Sequence, residues 1–223
     1  MGFSLETVVS LVAPHTCLGC KKEGSLLCEV CFYGLLPAHG SVCVFCNSLT
    51  QDFSVCNSCK KTSRLKRCWV ATRYKSTAKL LIWKYKFERA KSAHMYIADR
   101  MVEAIGSNDY DVVLAVPSAT SRTRRRGYES AGLIAKRCAK QLKIPYANVL
   151  GRHGQHTQLG ASRKQRLQQL QKDYYVLNER RVLGKKVLLI DDVATTGATL
   201  RACSKVLNDA GAKRVEAAVF ARD

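Results

Sequence analysis

The sequence predicts an α/β fold, a mainly parallel sheet with flanking helices, preceded by a small cysteine-rich unit. Three observations predict it. Short apolar, β-branched runs alternate with segments of helical periodicity through the second half of the chain. Paired cysteines crowd the first 59 residues and then stop. The stretch "VLLIDDVATTGATL" (187–200) leads a buried strand into two acids, a hydroxyl-rich turn and a helical pattern.

The cysteines come first. "CLGC", "CEVC", "CVFC" and "CNSC" place Cys17/Cys20, Cys28/Cys31, Cys43/Cys46 and Cys56/Cys59 as C-x-x-C knuckles. Each knuckle can set two thiolates on one tetrahedral ion, and two knuckles complete a four-cysteine zinc site. A disulfide framework suits a secreted chain, yet Cys68, Cys138 and Cys203 bring the total to an odd eleven. Two structural Zn2+ sites are therefore expected. Consecutive pairing assigns Cys17, Cys20, Cys28 and Cys31 to one ion, and Cys43, Cys46, Cys56 and Cys59 to the other. A cross-brace would interleave the knuckles, but shorter loops close at lower entropic cost and favour the consecutive form. Four thiolates leave no open position for a substrate, so these sites read as structural. Metal supplies the stability that so small a unit cannot gain by burial. This zinc-ribbon unit is assigned to residues 1–66 and the α/β body to 67–223.

In the body, "STAKLLIWKYKFERAKSAHMYIADRMVEAIGS" (76–107) reads as helical, with Ala93, Ile97, Met101 and Ile105 on one face and Gly106 as its stop. "DVVLAVP" (111–117) is a buried strand. "GYESAGLIAKRCAKQL" (127–142) is a helix burying Ala131, Ile134, Ala135, Cys138 and Leu142. "DYYVL" (173–177) and "KKVLLID" (185–191) are strands, a helix runs from about Ala198 to Asn208, and "RVEAAVFA" (214–221) is the last strand. The polar segment 151–172 is expected to be a flap.

Lysine and arginine number 37 against 17 acids, a net charge of +20, which predicts salt-sensitive attraction to polyanions. The excess is uneven: Lys60 to Lys91 holds twelve basic residues and one acid, Glu88. Trp69, Tyr74, Trp83, Tyr85 and Phe87 interleave that run and could stack on bases of single-stranded DNA. Helical spacing instead assigns Trp83 and Phe87 to the core. No stretch approaches the ~20 apolar residues of a membrane span, so no membrane insertion is expected. Glu6 stands where a signal peptide carries positive charge and where a myristoylation signal carries Ser or Thr, so the expected location is cytoplasmic.

In a parallel sheet, ligands collect at the carboxyl ends of the strands, where "DDVATTGAT" begins. Thr195, Thr196, Gly197 and Thr199 surround a helix N-terminus with N–H groups and hydroxyls, a phosphate cradle that needs no lysine. Asp191 and Asp192 would repel a phosphate. They suit sugar hydroxyls, or a Mg2+ ion. With Val193, Ala194 and Ala198 between them, these residues describe a ribose 5-phosphate site. The string resembles the phosphoribosyl-diphosphate (PRPP) signature of type I phosphoribosyltransferases. That resemblance implies that the acids hold the ribose 2′- and 3′-hydroxyls and that Ala194 to Thr199 bind the 5-phosphate, with Mg2+ as companion.

The rest of the chain resembles the ComF/ComFC competence family, in which cysteine-rich ribbons precede a phosphoribosyltransferase-like domain. "TRYKSTAKLLIWKYK" (72–86) is similar to the family's opening helix, with Lys84 and Tyr85 as its Lys-aromatic pair. "VPSATSRTRRRGYESAGLIA" (116–135) matches a segment that usually reads Arg-Arg-Gly-Phe-Asn-Gln, here departing at Tyr128, Glu129 and Ser130. "TQLGASRKQRLQQLQKDYYV" (157–176) resembles its Gln-rich flap through Gln158, Arg163 and Arg166. The resemblance implies a role in natural competence: DNA uptake, PRPP binding, contact with single-stranded DNA and association with other competence proteins.

The loop after strand 111–116, expected to run from Pro117 to about Thr123, is placed to cradle a diphosphate through Pro117, Ser118, Ala119 and Thr120, with Arg124, Arg125 and Arg126 as fork donors. The alternative to a binding role is an active phosphoribosyltransferase with an unknown acceptor and no DNA role. No catalytic base is evident: His153 and His156 lie in the polar flap. The resemblance disfavours 6-oxopurine salvage, because Thr195 or its neighbours stand where such enzymes carry an aspartate.

Overall fold

A computed structural model of the chain describes residues 15–38, 40–106, 109–153 and 173–222. In chain order its helices and strands are α1 (Glu29–Tyr33), α2 (Asn57–Lys60), β1 (Cys68–Arg73), α3 (Ser76–Phe87), α4 (Ala93–Ala104), β2 (Val112–Ala115), α5 (Thr120–Arg126), α6 (Ser130–Leu142), β3 (Leu150–Arg152), β4 (Tyr174–Val176), β5 (Lys186–Ala194), α7 (Ala198–Asp209) and β6 (Arg214–Arg222). The main sheet runs β1-β6-β5-β2, and all its pairings are parallel. Its central strands β5 and β6 are near-continuous apolar runs because helices cover both faces.

The segment "DYYVL" is a strand as expected: β4 pairs antiparallel with β3 in a separate two-stranded sheet. Three other sequence expectations are corrected. The 76–107 helix is two helices, because Arg89 takes a left-handed φ of 57° and the Ala90 N–H turns back onto Lys84 O at 3.2 Å. The loop after β2 is short, since α5 begins at Thr120. The strand begun at 185–191 continues through both aspartates to Ala194. The strand β1, which sequence pattern does not assign, forms the sheet edge beside β6.

The two cysteine-rich units straddle the sheet. Leu18, Leu26 and Leu27 share a core with Leu81, Ile97, Ile134 and Phe220. On the opposite face Val44, Val55 and Leu65 share one with Val70, Leu189, Leu200 and Leu207. Between the units the chain crosses the β1 edge, where Arg73 N–H donates to Leu36 O at 3.2 Å and Pro37 bridges Thr72. That crossing caps an edge strand otherwise open to another chain.

Tyr85 is fully buried, but Trp83 and Phe87 are 46% and 57% exposed, which overturns their assignment to the core. The buried side of α3 is taken by Ala78, Leu81, Ile82 and Tyr85, and Trp83 and Phe87 lie one turn apart on the other side. Among the described residues no helix is long and apolar enough to cross a membrane.

Candidate functional site

The site forms where one strand outlasts its neighbour. β2 pairs with β5 only as far as Ala115 with Ile190, and Val116 N–H closes the ladder on Ile190 O at 2.9 Å. Beyond that point β5 keeps β6 alone, through Val193 with Ala221 and Ala194 with Arg222. The crevice so opened, at the carboxyl ends of the strands, is a cavity of about 430 Å3.

Asp191, Asp192, Val193 and Thr199 line this cavity, facing Pro117, Ser118, Arg125 and Arg126. Asp192 is buried. Lys86 Nζ lies 2.6 Å from its Oδ1, and Ser130 Oγ donates to its Oδ2 at 3.3 Å. Arg126 braces the same group, donating from NH1 to Ser130 Oγ at 2.6 Å and from Nε to Lys86 O at 3.1 Å. Its guanidinium is thus engaged within the protein.

Asp191 Oδ1 accepts the Asp192 N–H at 2.8 Å. Burial, and then the neighbouring Asp192 charge, push the Asp191 carboxyl above the usual carboxylate range, with Lys86 opposing. Two carboxylates and one lysine leave the pair favouring hydroxyl donors or a cation.

At the far end of β5, Thr195 and Thr196 are exposed, and Ala194 is buried. Gly197 is buried in the left-handed region with φ 69°, which lets α7 start at Ala198. The cavity is therefore reached by Thr199 in the first turn of α7, whereas Ala194, Thr195, Thr196, Gly197 and Ala198 do not line it. On the facing side Ala119 is buried at the start of α5, and Thr120 lines a neighbouring cavity of about 360 Å3 with Glu129. Arg124 is exposed and does not line the main cavity.

Several cavity residues were not assigned to this site by the sequence: Lys86, Phe87, Arg122, Ser130, Arg152 and Tyr174. Lys86 reaches Asp192 across 106 residues of chain. The basic run contains it, but nothing local distinguishes it from Lys84, which pairs with Glu88 one turn on. The neighbouring Tyr85 is an internal strut, its hydroxyl donating to Ser130 O at 2.8 Å. The flap residues His156, Gln158, Arg163 and Arg166 fall outside the described residues. His153 stacks on Tyr175 with ring centroids 4.4 Å apart.

The cysteine knuckles gather as consecutive pairs: Cys17, Cys20, Cys28 and Cys31 form one cluster, and Cys43, Cys46, Cys56 and Cys59 the other. Cys17 and Cys28 sulfurs are 3.6 Å apart, Cys20 and Cys28 3.7 Å, and Cys46 and Cys56 3.5 Å. These approach the edge of about 3.8 Å that a tetrahedron with Zn–S bonds of ~2.3 Å requires. They are far beyond the ~2.05 Å of a disulfide. Both clusters fit a structural zinc.

In each, one thiol is pulled down and another pushed up. Against the burial that raises it, Cys17 is held at about 6 by the N–H groups of Cys28, Cys20 and Gly19. Cys31 is pushed up to about 12, first by its hydrogen bond with Cys28 and then by burial. Ser48 lowers Cys46 to about 6, and burial raises Cys59 to about 12. Packed sulfurs do not ionise together without a cation among them.

The parallel sheet thus carries an acid-lined crevice at the carboxyl ends of its strands, with the first turn of α7 beside it. Residues 128–223 match the phosphoribosyl transferase domain family. Competence protein F of Haemophilus influenzae is 26% identical over 220 residues, covering 87% of this chain and 96% of that protein. Competence protein ComFC of Streptococcus pneumoniae is 26% identical over 145 residues, covering 64% and 62%. DNA utilization protein YhgH of Salmonella typhimurium is 24% identical over 218 residues, covering 85% and 94%. The chain is a homologue of these proteins, a ComF/ComFC-like chain that joins two four-cysteine clusters to a phosphoribosyltransferase-like domain.

Proposed function

We propose that the protein serves DNA uptake as a ComF-like protein that binds PRPP with Mg2+ in the crevice and contacts single-stranded DNA beside it. The division into a ribbon unit over 1–66 and a phosphoribosyltransferase-like domain over 67–223 belongs to this reading. The observation that carries it is the pairing of Asp191 and Asp192 with Thr199, in the first turn of α7, in one cavity of about 430 Å3. The acids accept from the ribose hydroxyls, and Asp191 and Asp192 are the groups that would hold Mg2+ near them. The amides and hydroxyls of Thr195 to Thr199 take the 5-phosphate. Ser118, Arg122 and Arg125 face them across the cavity, where a diphosphate would lie. When bound, Mg2+ supplies charge neutralisation for a departing diphosphate.

Isothermal titration of zinc-loaded protein with PRPP and Mg2+ tests the reading. Saturable binding is expected, and it should be lost in Asp191→Asn/Asp192→Asn with zinc content unchanged. No heat at millimolar PRPP would exclude it.

The DNA contact is supported by the exposed rings of Trp83 and Phe87, whose centroids are 6.3 Å apart. Phe87 also lines the crevice. Next to them a cavity of about 690 Å3 is lined by Lys21, Lys84, Arg89 and Lys91, with Glu88 paired to Lys84. Exposed rings beside an excess of cations fit a strand whose bases stack and whose phosphates need countercharge. Affinity for single strands should exceed that for duplex and fall steeply with salt.

The cations in the crevice also admit turnover, in which the diphosphate leaves as an acceptor attacks the ribose. Diphosphate release with an added acceptor distinguishes transfer from binding alone.

A further inference from the structure

The second four-cysteine unit packs directly against the loop that follows β5. Phe45 stands between Cys43 and Cys46, and its ring lies against Gly197. A Cβ at Gly197 would fall 2.7 Å from Phe45 Cδ1, 2.9 Å from Cε1 and 3.5 Å from Val44 O. The loop backbone therefore passes over the knuckle with no room for a methyl group.

Two further contacts flank this one. The Arg201 guanidinium lies 4.5 Å over the Phe45 ring and donates to Thr62 Oγ1 at 2.8 Å. Thr62 is itself tied to Cys59 O by its N–H at 3.1 Å. Arg201 N–H donates to Gly197 O at 2.9 Å, so the same residue joins the ribbon to the first turn of α7. On the other side, Arg222 donates to Asn47 Oδ1, and Asn47 N–H returns to Cys43 O at 3.0 Å. Arg222 is the sheet partner of Ala194, the last strand residue before the loop. Ala194, Gly197 and Arg201 are each fastened, directly or through one residue, to backbone that the Cys43–Cys59 cluster orders.

We propose that Phe45 is a positioning residue for the 195–199 loop, and that metal in the second four-cysteine cluster holds that loop ready for a phosphoryl group. This rests on reading the loop as the 5-phosphate site. The physical basis is pre-organisation. Gly197 at φ 69° aims the α7 N-terminus, and a glycine left unsupported would lose that conformation to others of similar energy. Cys43, Cys46, Cys56 and Cys59 come from two separate segments of chain that an ion would draw together, so the knuckle's geometry depends on metal at its centre.

The test uses the full chain, zinc-loaded. Hydrogen exchange of the amides at 195–199, without ligand, should quicken at least tenfold in Phe45→Ala with both zinc ions retained, and stay near wild type in Phe45→Tyr. Cys46→Ser should lose one zinc and reproduce the effect, whereas Cys20→Ser should lose one zinc and leave this segment unchanged. Ribose 5-phosphate affinity should fall at least tenfold in Phe45→Ala and recover in Phe45→Tyr. Unchanged exchange in Phe45→Ala overturns the proposal whatever the ligand does, as does equal acceleration in Cys20→Ser. If exchange responds as expected but wild type binds no ribose 5-phosphate, the loop is still clamped by the ribbon and the phosphate reading falls instead.

Discussion

The two four-cysteine units are built alike and used differently. In each, the first knuckle turns through a left-handed residue, Lys21 or Asn47, both at φ 66°. Each turn closes with an N–H back to its first cysteine, Lys21 to Cys17 O and Asn47 to Cys43 O, both at 3.0 Å. In each, the second knuckle starts a single helical turn, α1 after Cys28 and α2 after Cys56. Their differences lie in the residues between the cysteines. The first knuckle carries Gly19, where a Cβ would meet Cys31 Sγ at 2.5 Å, with Thr77 of α3 nearby. The second carries Phe45 at the equivalent place, and directs it at the loop beneath Arg201. A repeated metal fold sets where its cysteines go, and the non-ligand residues decide what each copy supports.

The largest effects should come from the cysteines. Cys20→Ser and Cys46→Ser should each halve the zinc content and cost several kcal/mol in denaturant unfolding, since metal binding is part of the folding energy. If the units are used differently, the second alone will also weaken ribose 5-phosphate; equal losses would remove the distinction.

Smaller, and more local, are the glycines. Gly19→Ala should reduce zinc occupancy of the first cluster, because the methyl competes with the Cys31 sulfur. Gly197→Ala should leave zinc in place and cost about 1–3 kcal/mol from overpacking against Phe45, with further strain at its positive φ. Adding Phe45→Ala should relieve part of that cost, a coupling read from a double-mutant cycle.

Next is pH. Asp191 binds its proton more tightly folded than unfolded, because burial and Asp192 disfavour its charge. Its contribution is complete below the ordinary carboxylate range and is lost as pH rises through the elevated value. Melting temperature of the ligand-free protein should therefore decline with rising pH more steeply than that of Asp191→Asn. The gap should close once PRPP and Mg2+ are added.

The smallest effect belongs to Trp83→Ala. The ring is 46% exposed, so stability should change by less than about 0.5 kcal/mol. Single-stranded DNA affinity should nonetheless fall, measured by anisotropy at fixed salt; unchanged affinity would remove Trp83 from the DNA contact.

How legible was this molecule? The strands 112–115, 186–194 and 214–222 were readable because a sheet covered on both faces needs unbroken apolar runs. β1 was missed because "CWVATR" follows a basic stretch without alternation, and only its docking beside β6 makes it a strand. The break between α3 and α4 was missed because "FERAKS" keeps helical composition; a single left-handed arginine reverses the chain. Trp83 and Phe87 show the limit of periodicity. Spacing of four puts two rings on one face of a helix, but does not say which face meets the core.

The spacing of its cysteines already specified two four-cysteine clusters, and "DDVATTGAT" a strand-to-helix turn carrying acids and hydroxyls, since knuckle and turn geometry follow from local backbone and residue type. Which groups meet them was settled by packing. Lys86 on Asp192 and Phe45 on Gly197 join segments more than a hundred residues apart, and such contacts depend on how helices and ribbons seat against a finished sheet. No local pattern encodes that seating, because its free energy is spread over both faces of the core.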